Sequence, residues 1–555
     1  MIAFAKTCAA VAATPGKLEK VAILGRYLAT LDDADLAAAA RFLTGNAFAQ
    51  REQKQLSIGG RTIVEAAQRV WGVTEGELRA GYREHGDLGE ALGPLVREPS
   101  TLALFHEPLT PAKLASIFEE IAASTGKAAG KRRLHLCERI LAACTDPLEA
   151  TYTIKVMTGE LRIGLREGLV HDAIAAAFDE PLHLVHRAVM VTGDAGEVAV
   201  AAKRKRLEEL RVRFGVPIGF MLASPIPFGE RYPDLAENRW IVEDKYDGIR
   251  AQAHVFDGRA VLYSRTMNDV THSYPEIARA LAVQQHGLIL DGEIIAARDG
   301  RVLPFRTLQA RLQRKEIAPS LLADVPLQYV VFDVLAINDA LLIDEPLAER
   351  RARLNDALVT GAQVALAPFE ALDGAETVNE RFDRARERGN EGLMFKRIDS
   401  PYGPGRRGKW WLKLKRELTT LDVVVVGVEW GHGKRAKVLS DYTFAIKGPV
   451  GELLTIGKAY SGLTDVEIAE LTPWFLAHRL DPDDERRYGR AFAVEPSIVL
   501  EVAFDVIQKS ALHQSGYAMR FPRIVRIRAD KPASQIDTLA RVDEIYAEML
   551  KREGV

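Results

Sequence analysis

Only three of the 555 residues are cysteine, at Cys8, Cys137 and Cys144. Three thiols cannot build a disulfide framework or a four-thiolate zinc site. Cys137 and Cys144 lie seven apart in a helical stretch and read as buried small hydrophobes. Long apolar runs are missing too: no segment reaches the roughly 18 residues of a spanning helix, so no membrane association is expected. The start, Met1-Ile-Ala-Phe-Ala-Lys-Thr-Cys, faintly resembles a secretion signal. Lys6 interrupts its apolar run, however, and no basic segment precedes it. The expected location is cytoplasmic. An excess of one charge is also absent, since 74 Lys and Arg against 76 Asp and Glu leave a net −2. Any nucleic-acid surface must therefore come from segregating basic residues onto one face.

What is present is ordinary globular material, 47% hydrophobic and 27% charged, with 43 Gly and 25 Pro. That excludes collagenous, coiled-coil and mostly disordered chains. A chain of 555 residues exceeds one hydrophobic core, so two to four domains are expected. Residues 1–215 read as helical: Leu18, Val21, Ala22 and Leu24 to Leu28 repeat at three- and four-residue spacing, and β-branched runs are scarce. Gly215-Val-Pro-Ile-Gly, with Pro225 and Pro227, marks a linker. Short β-type runs follow, among them Trp240-Ile-Val, Ala260-Val-Leu-Tyr, Leu288-Ile-Leu and Tyr329-Val-Val-Phe. A third region opens near residue 417 with Leu421-Asp-Val-Val-Val-Val and continues through Ser497-Ile-Val-Leu-Glu-Val, a size that suits a small β-barrel.

One glycine motif misleads. Gly403-Pro-Gly405-Arg-Arg-Gly408-Lys409-Trp410 fits G-x-G-x-x-G and nearly fits the P-loop pattern. Trp410 cannot replace the Ser or Thr that holds Mg²⁺, a turn precedes, and the strand-like Trp410-Trp-Leu-Lys-Leu-Lys follows.

The chemistry lies in an ordered series. Glu243-Asp-Lys245-Tyr-Asp247-Gly248-Ile-Arg250 places an amine at a tight turn after an apolar strand. Then come Ser264-Arg265, Asp291-Gly-Glu293, Phe332-Asp333 and Glu391-Gly-Leu-Met-Phe-Lys396. Trp411-Leu-Lys413-Leu-Lys415 and Arg526-Ile-Arg528-Ala-Asp530-Lys531 complete the series. Lys and Glu in β-type runs are costly to bury unless they face a charged ligand. Lys413 and Lys415 share one strand face, where like charges repel unless a polyphosphate lies between them. Several cations and two carboxylates converging on a cleft are what a nucleoside triphosphate with Mg²⁺ requires. A lysine among cations also has its pKa lowered toward the neutral amine a nucleophile needs.

This ordered set resembles the six motifs of the covalent nucleotidyltransferases and, within them, the ATP-dependent DNA ligases. Upstream, Thr145-Asp-Pro-Leu-Glu-Ala-Thr-Tyr and Gly159-Glu-Leu-Arg-Ile-Gly-Leu-Arg are similar to the helical DNA-binding domain of replicative-type ligases. The resemblance implies a multidomain fold: an all-α DNA-binding domain (1–215), an α+β adenylation domain (216–416) and a C-terminal OB-fold β-barrel (417–555). A hinge near Arg416 would let the third domain swing. The implied cofactors are ATP and Mg²⁺, and the implied partner is nicked double-stranded DNA, met in replication, repair and recombination; a monomer is expected.

The resemblance also assigns roles. Lys245 would carry AMP. Glu243 would meet the adenine amino group, and Arg250 and Arg265 would reach ribose or phosphate. Glu293 and Glu391 would lie near the metal. Phe332 would stack on adenine, while Lys396, Arg407, Lys413 and Lys415 would neutralise phosphates. Arg528 and Lys531 would approach the departing pyrophosphate. In Gly159-Glu-Leu-Arg-Ile-Gly, glycines at helix starts would let backbone N–H groups approach DNA phosphate; an ordinary packing turn is the plainer alternative. The basic run Lys203-Arg-Lys-Arg206 reads either as a phosphate contact or as a solvated helix face.

Two other activities share the lysine motif, RNA ligation and mRNA-capping guanylyl transfer, and the long helical region before Lys245 argues against both. NAD-dependent ligases carry a four-cysteine zinc module that three cysteines cannot supply. A non-catalytic DNA-binding scaffold would not need Lys245, Glu293, Glu391 and Lys413.

Overall fold

The structure is a computed structural model of the whole chain, and it describes residues 1–97, 108–226, 239–298, 301–311, 317–371, 378–415, 419–432, 435–481 and 491–552. Pro227 and Arg416 lie outside the described residues. The chain forms two compact units, Met1–Ala80 with Leu88–Arg416, and Gly81–Asp87 with Glu417–Val555. Among the described residues, no helix is long and apolar enough to cross a membrane.

The described residues from 1 to 221 contain helices and no strands, as the three- and four-residue spacing implies. Phe4, Leu24, Phe42, Ile63, Phe118 and Ile140 fill a common core, and all three cysteines are buried and free. Asp146 starts the helix Pro147–Thr158: its carboxylate accepts from the N–H groups of Leu148 and Glu149, and Pro147 takes the first turn. This accounts locally for the Thr145-Asp-Pro-Leu segment.

One sequence expectation for the helical region needs correction, and another can be set against the structure. Gly159 does not start a helix; it ends one, at φ +72°, the left-handed cap that glycine adopts most easily. The basic run 203–206 is exposed at and beyond the end of a helix, in keeping with the solvated alternative, and its side chains have local partners. Lys203 pairs with Asp33 at 3.0 Å and donates to Leu31 O, Arg204 pairs with Asp33, Lys205 donates to Asp179 O, and Arg206 pairs with Glu209. These side chains tie the end of one helix to the starts and ends of its neighbours.

The strands that build the site are β1 (Leu222–Ile226), β2 (Trp240–Lys245), β3 (Ile249–Phe256), β4 (Arg259–Ser264), β5 (Leu288–Arg298), β6 (Leu327–Ile337), β7 (Gly392–Arg397) and β8 (Arg407–Lys415). One sheet runs β1-β8-β7-β2 and ends on the short strand Glu370–Ala371; the other runs β4-β3-β5-β6 and ends on Ala340–Leu341. Every named β-run of the sequence in this region falls inside one of these strands.

The segment read as a linker is strapped to β3. Gln252 acts as a surrogate peptide, accepting from Ile218 N–H at 2.7 Å and donating to Ile218 O at 2.9 Å. His254 Nδ1 accepts from Gly215 N–H at 3.1 Å, which leaves Nε2–H to donate to Gln252 Oε1 at 2.8 Å. Both ring nitrogens are therefore committed to the neutral form, and burial pushes His254 down to about 3. A depressed native pKa means the unfolded state binds the proton first. Stability attached to this group is intact above about pH 6.5 and is lost as pH falls toward 3, by up to about 5 kcal/mol. Urea denaturation across pH 4–7 should show a steeper acid loss for the wild type than for His254→Gln, which cannot titrate. Parallel curves would refute the assignment.

The second unit is β-rich. Its main sheet runs Leu453–Ala459, Leu439–Lys447, Thr419–Trp430, Val499–Phe504 and Arg523–Ile527, with Ala491–Ala493 paired to Thr419–Trp430. Val423, Val425, Phe444, Leu500, Val502 and Ile524 point into one core with Phe475 of the helix Asp465–Ala477. That helix opens with a reciprocal capping box between Thr464 and Glu467.

Candidate active site

Strand register explains why distant motifs meet. Across β2, β7 and β8 the paired rows are Lys245–Gly392–Lys415, Glu243–Met394–Lys413 and Ile241–Lys396–Trp411. Side chains on one strand alternate faces, so these rows put Glu243, Lys245, Met394, Lys396, Trp411 and Lys413 on a single face. In the other sheet Arg250 pairs with Glu293. The β5–β6 register pairs Asp291 with Asp333 and Gly292 with Val331, which leaves Phe332 as the extra residue of a β-bulge. A bulge re-aims a side chain, and the Phe332 ring turns to the same pocket.

That pocket has a volume of about 170 Å³. Glu243, Lys245, Arg250, Arg265, Glu293, Phe332, Lys396, Arg407 and Lys413 all line it, with Leu222, Ala223, Asp244, Tyr246, Met394 and Trp411. Glu391 does not line the pocket itself but forms an ion pair with Lys245, which does. Two glycines of the motifs are there because backbone and rings come too close for a side chain. A Cβ on Gly248 would meet Ile294 O at 2.4 Å, and one on Gly292 would meet the Tyr329 ring at 2.6 Å.

Charges inside the pocket are arranged unevenly. Lys396 is 1% exposed and pairs with Glu243 at 2.5 Å, with its ammonium 4.2 Å from the Phe332 ring centre and 4.4 Å from that of Trp411. Burial pushes the Lys396 amine down, while Glu243 pulls it back up. Glu243 Oε1 is buried without a hydrogen-bond donor among the described residues, and Arg351 lies 3.8 Å from it. Burial likewise pushes Glu293 up to about 8, against the pull of Lys245 and Arg250. Lys413 is pushed down by burial first, then by Lys245, Lys415, Arg407 and Arg265. Such crowding of like charge is what a polyanionic ligand would relieve.

The remaining sequence candidates lie elsewhere. Lys415 is exposed on β8. Arg528 and Lys531 belong to the second unit, where Arg528 is bidentate to Asp530 and also bonded to Asp422, and Lys531 donates to Asp422 at 2.6 Å.

Family models match the chain almost end to end. The one described as DNA ligase N terminus matches residues 1–175, the ATP dependent DNA ligase domain 220–415, and the ATP dependent DNA ligase C terminal region 435–531. The chain belongs to the ATP-dependent DNA ligase family. It is 46% identical to a probable DNA ligase of Koribacter versatilis, over 98% of this ligase and 96% of that one. The DNA ligase of Archaeoglobus fulgidus is 38% identical, with 98% of each chain covered. A solved structure named Pmar-Lig_Pre shares the fold at a TM-score of 0.58 and 16% identity, over 95% of this ligase and 99% of that chain.

Some residues that shape the ligase pocket were given no role from the sequence: Asp291 and Asp333 stand in its motifs without one, and Arg350 and Arg351 were not singled out. Asp291 grips Arg250 with both oxygens, at 3.0 and 2.7 Å. Arg350 grips Asp333 in the same way at 2.8 Å, and Arg351 donates to Phe332 O at 3.0 Å. The signal was the adjacent pair Arg350-Arg351 on one helix among apolar positions, since buried arginines need partners.

Proposed function

We propose that the pocket binds ATP and that Lys245 takes AMP from it, to be passed to the 5′-phosphate of nicked duplex DNA. The observation that carries this reading is one amine, Lys245, standing beside Glu391 where cations, an aromatic face and two carboxylates converge. Adenine suits the face of Phe332, and its amino group is the donor that Glu243 Oε1 lacks. Arg265, Arg407 and Lys413 neutralise phosphate oxygens. Before attack the Lys245 ammonium must lose a proton, and Glu391 is the carboxylate in contact with it. The amine then bonds to the α-phosphorus, the bond to the β-phosphate breaks, and pyrophosphate leaves. Transfer to the 5′-phosphate breaks the N–P bond, and attack by the 3′-OH releases AMP.

Mg²⁺ fits this donor set. Among the described residues no group of three or more His, Cys, Asp or Glu gathers for a metal. Mg²⁺ is commonly held by one or two carboxylates together with substrate phosphates and water. Glu293, raised by burial, and Glu391 are the carboxylates that would hold it. It would supply charge neutralisation at the phosphates. The three functional segments in this reading are residues 1–215 on DNA, 216–416 for adenylation and 417–555 as the mobile third part.

The test is a gel of nicked DNA, blunt DNA and nicked RNA, each with ATP or NAD, beside a lane of protein with ATP labelled at the α-phosphate. Covalent label and sealing of nicked DNA with ATP alone are expected. Label without sealing of DNA, or sealing of RNA alone, would overturn the substrate assignment.

A further inference from the structure

The glycine-rich turn that imitates a phosphate loop in sequence packs against the start of the adenylation region instead. A Cβ on Gly219 would meet Gly405 N at 3.0 Å, and Gly403 N–H points at Met221 Sδ, 3.3 Å away. This close approach brings in Tyr402, which is 2% exposed. Its hydroxyl donates to Asp291 Oδ2 at 2.6 Å and accepts from Met221 N–H at 3.1 Å. Asp291 holds Arg250 through Nε and Nη2, and Arg250 Nη1 returns to Met221 O at 2.7 Å. The four residues close a ring of hydrogen bonds.

From this ring we propose that Tyr402 is a positioning residue for nucleotide binding, acting through Arg250 and through the wall Leu222-Ala223. The proposal rests on the pocket being the ATP site. A guanidinium has five N–H donors. Three of those on Arg250 are spent within the ring, which leaves one on each terminal nitrogen, and Arg250 lines the pocket. Its plane is fixed further by the rings of Phe220, Phe332 and Trp411, at 4.8, 5.5 and 5.6 Å. Met221 leads directly into Leu222 and Ala223, two more lining residues, and Leu222 N–H is bonded to Arg406 O at 2.9 Å. One hydroxyl thus fixes both a cation and a stretch of wall of the same cavity. Both of its hydrogen-bonding roles are used, so nothing short of a hydroxyl replaces it.

Tyr402→Phe removes the hydroxyl and keeps the ring, which packs 5.8 Å from Trp411 and 5.9 Å from the Arg350 guanidinium. The substitution leaves Met221 N–H buried without an acceptor and frees Arg250 to drift. Lys245 is not part of the ring, so charging at saturating ATP should be little changed. The experiment is single-turnover formation of labelled enzyme against ATP concentration, with Tm measured on the same samples. The KM for ATP should rise about 5- to 20-fold while the maximal rate stays within about 2-fold. Asp291→Asn, which weakens the next link, should raise KM similarly, and it carries the test if Tyr402→Phe does not fold. The double variant should add less than about 2-fold to the larger single effect, because groups in one network are not additive. Unchanged KM with a lowered Tm would reduce Tyr402 to a structural role. Effects that multiply would also overturn the proposal. Failure of the ATP-site reading itself would look different: Lys245→Ala would still take label.

Discussion

Lys245→Ala is expected to abolish covalent charging by ATP, a loss on the order of a thousandfold or more, while nicked-DNA affinity stays within about 3-fold. Three lysines line the pocket, so the argument turns on why the other two cannot substitute. Lys396 is locked, with Glu243 2.5 Å away and two aromatic faces around its ammonium. Freeing it would leave the buried Glu243 charge unpaired, a costly outcome. Lys413 is the more serious rival, because burial and four neighbouring cations push its amine toward the neutral form. Its row in the sheet, though, is that of Glu243, one alternation away from the row of Lys245, and Glu391 pairs with Lys245. Digestion of the labelled protein decides between them. Label on the peptide that contains Lys245 in the wild type, and none anywhere in the variant, is expected. A labelled band that persists and maps to Lys413 would give that residue the role.

The residues that were legible in the sequence are those whose chemistry is odd for their local setting. Lys245, Glu293 and Lys413 stand in β-type runs where a charge needs a reason, and alternation alone predicts which neighbours share their face. The fold class was legible for a similar reason, since the change from three- and four-residue spacing to short β-branched runs near residue 216 tracks the change from helices to sheets. Partnership was not legible. Nothing local links Glu243 with Lys396 or Arg250 with Asp291, because each pair is joined only by strand register across distant segments. Phe332 reaches the pocket through a bulge, and a one-residue bulge leaves no mark on a hydrophobic pattern. Gly159 shows the opposite failure. Glycine serves both ends of helices, and the sequence reading chose the wrong end.

Arg528→Ala should separate the steps of ligation: charging from ATP falls on the order of a hundredfold or more, yet a nick supplied already adenylated at its 5′ end is sealed within about 3-fold. The reasoning is that β- and γ-phosphates exist only in the first step, and an interaction made in one transition state affects that step alone. The competing account is structural and has real support. Arg528 bonds both oxygens of Asp422 at 2.9 and 2.8 Å, and it holds the Asp530 carboxyl down to about 2. Asp422 also accepts from Lys531 and is nearly buried at the start of a central strand. Asp422→Asn tells the two accounts apart. If Arg528 matters only as a brace within the second unit, loss of the Asp422 carboxylate, which ties it to the central strand, should lower Tm and impair charging and sealing alike, as Arg528→Ala would. If its work is on pyrophosphate, Asp422→Asn releases the guanidinium from one of its two carboxylates, Asp530 keeping the other, and charging persists while Arg528→Ala loses it on the order of a hundredfold. Equal loss in both assays for a folded Arg528→Ala, matched by Asp422→Asn, would leave the brace as its whole function.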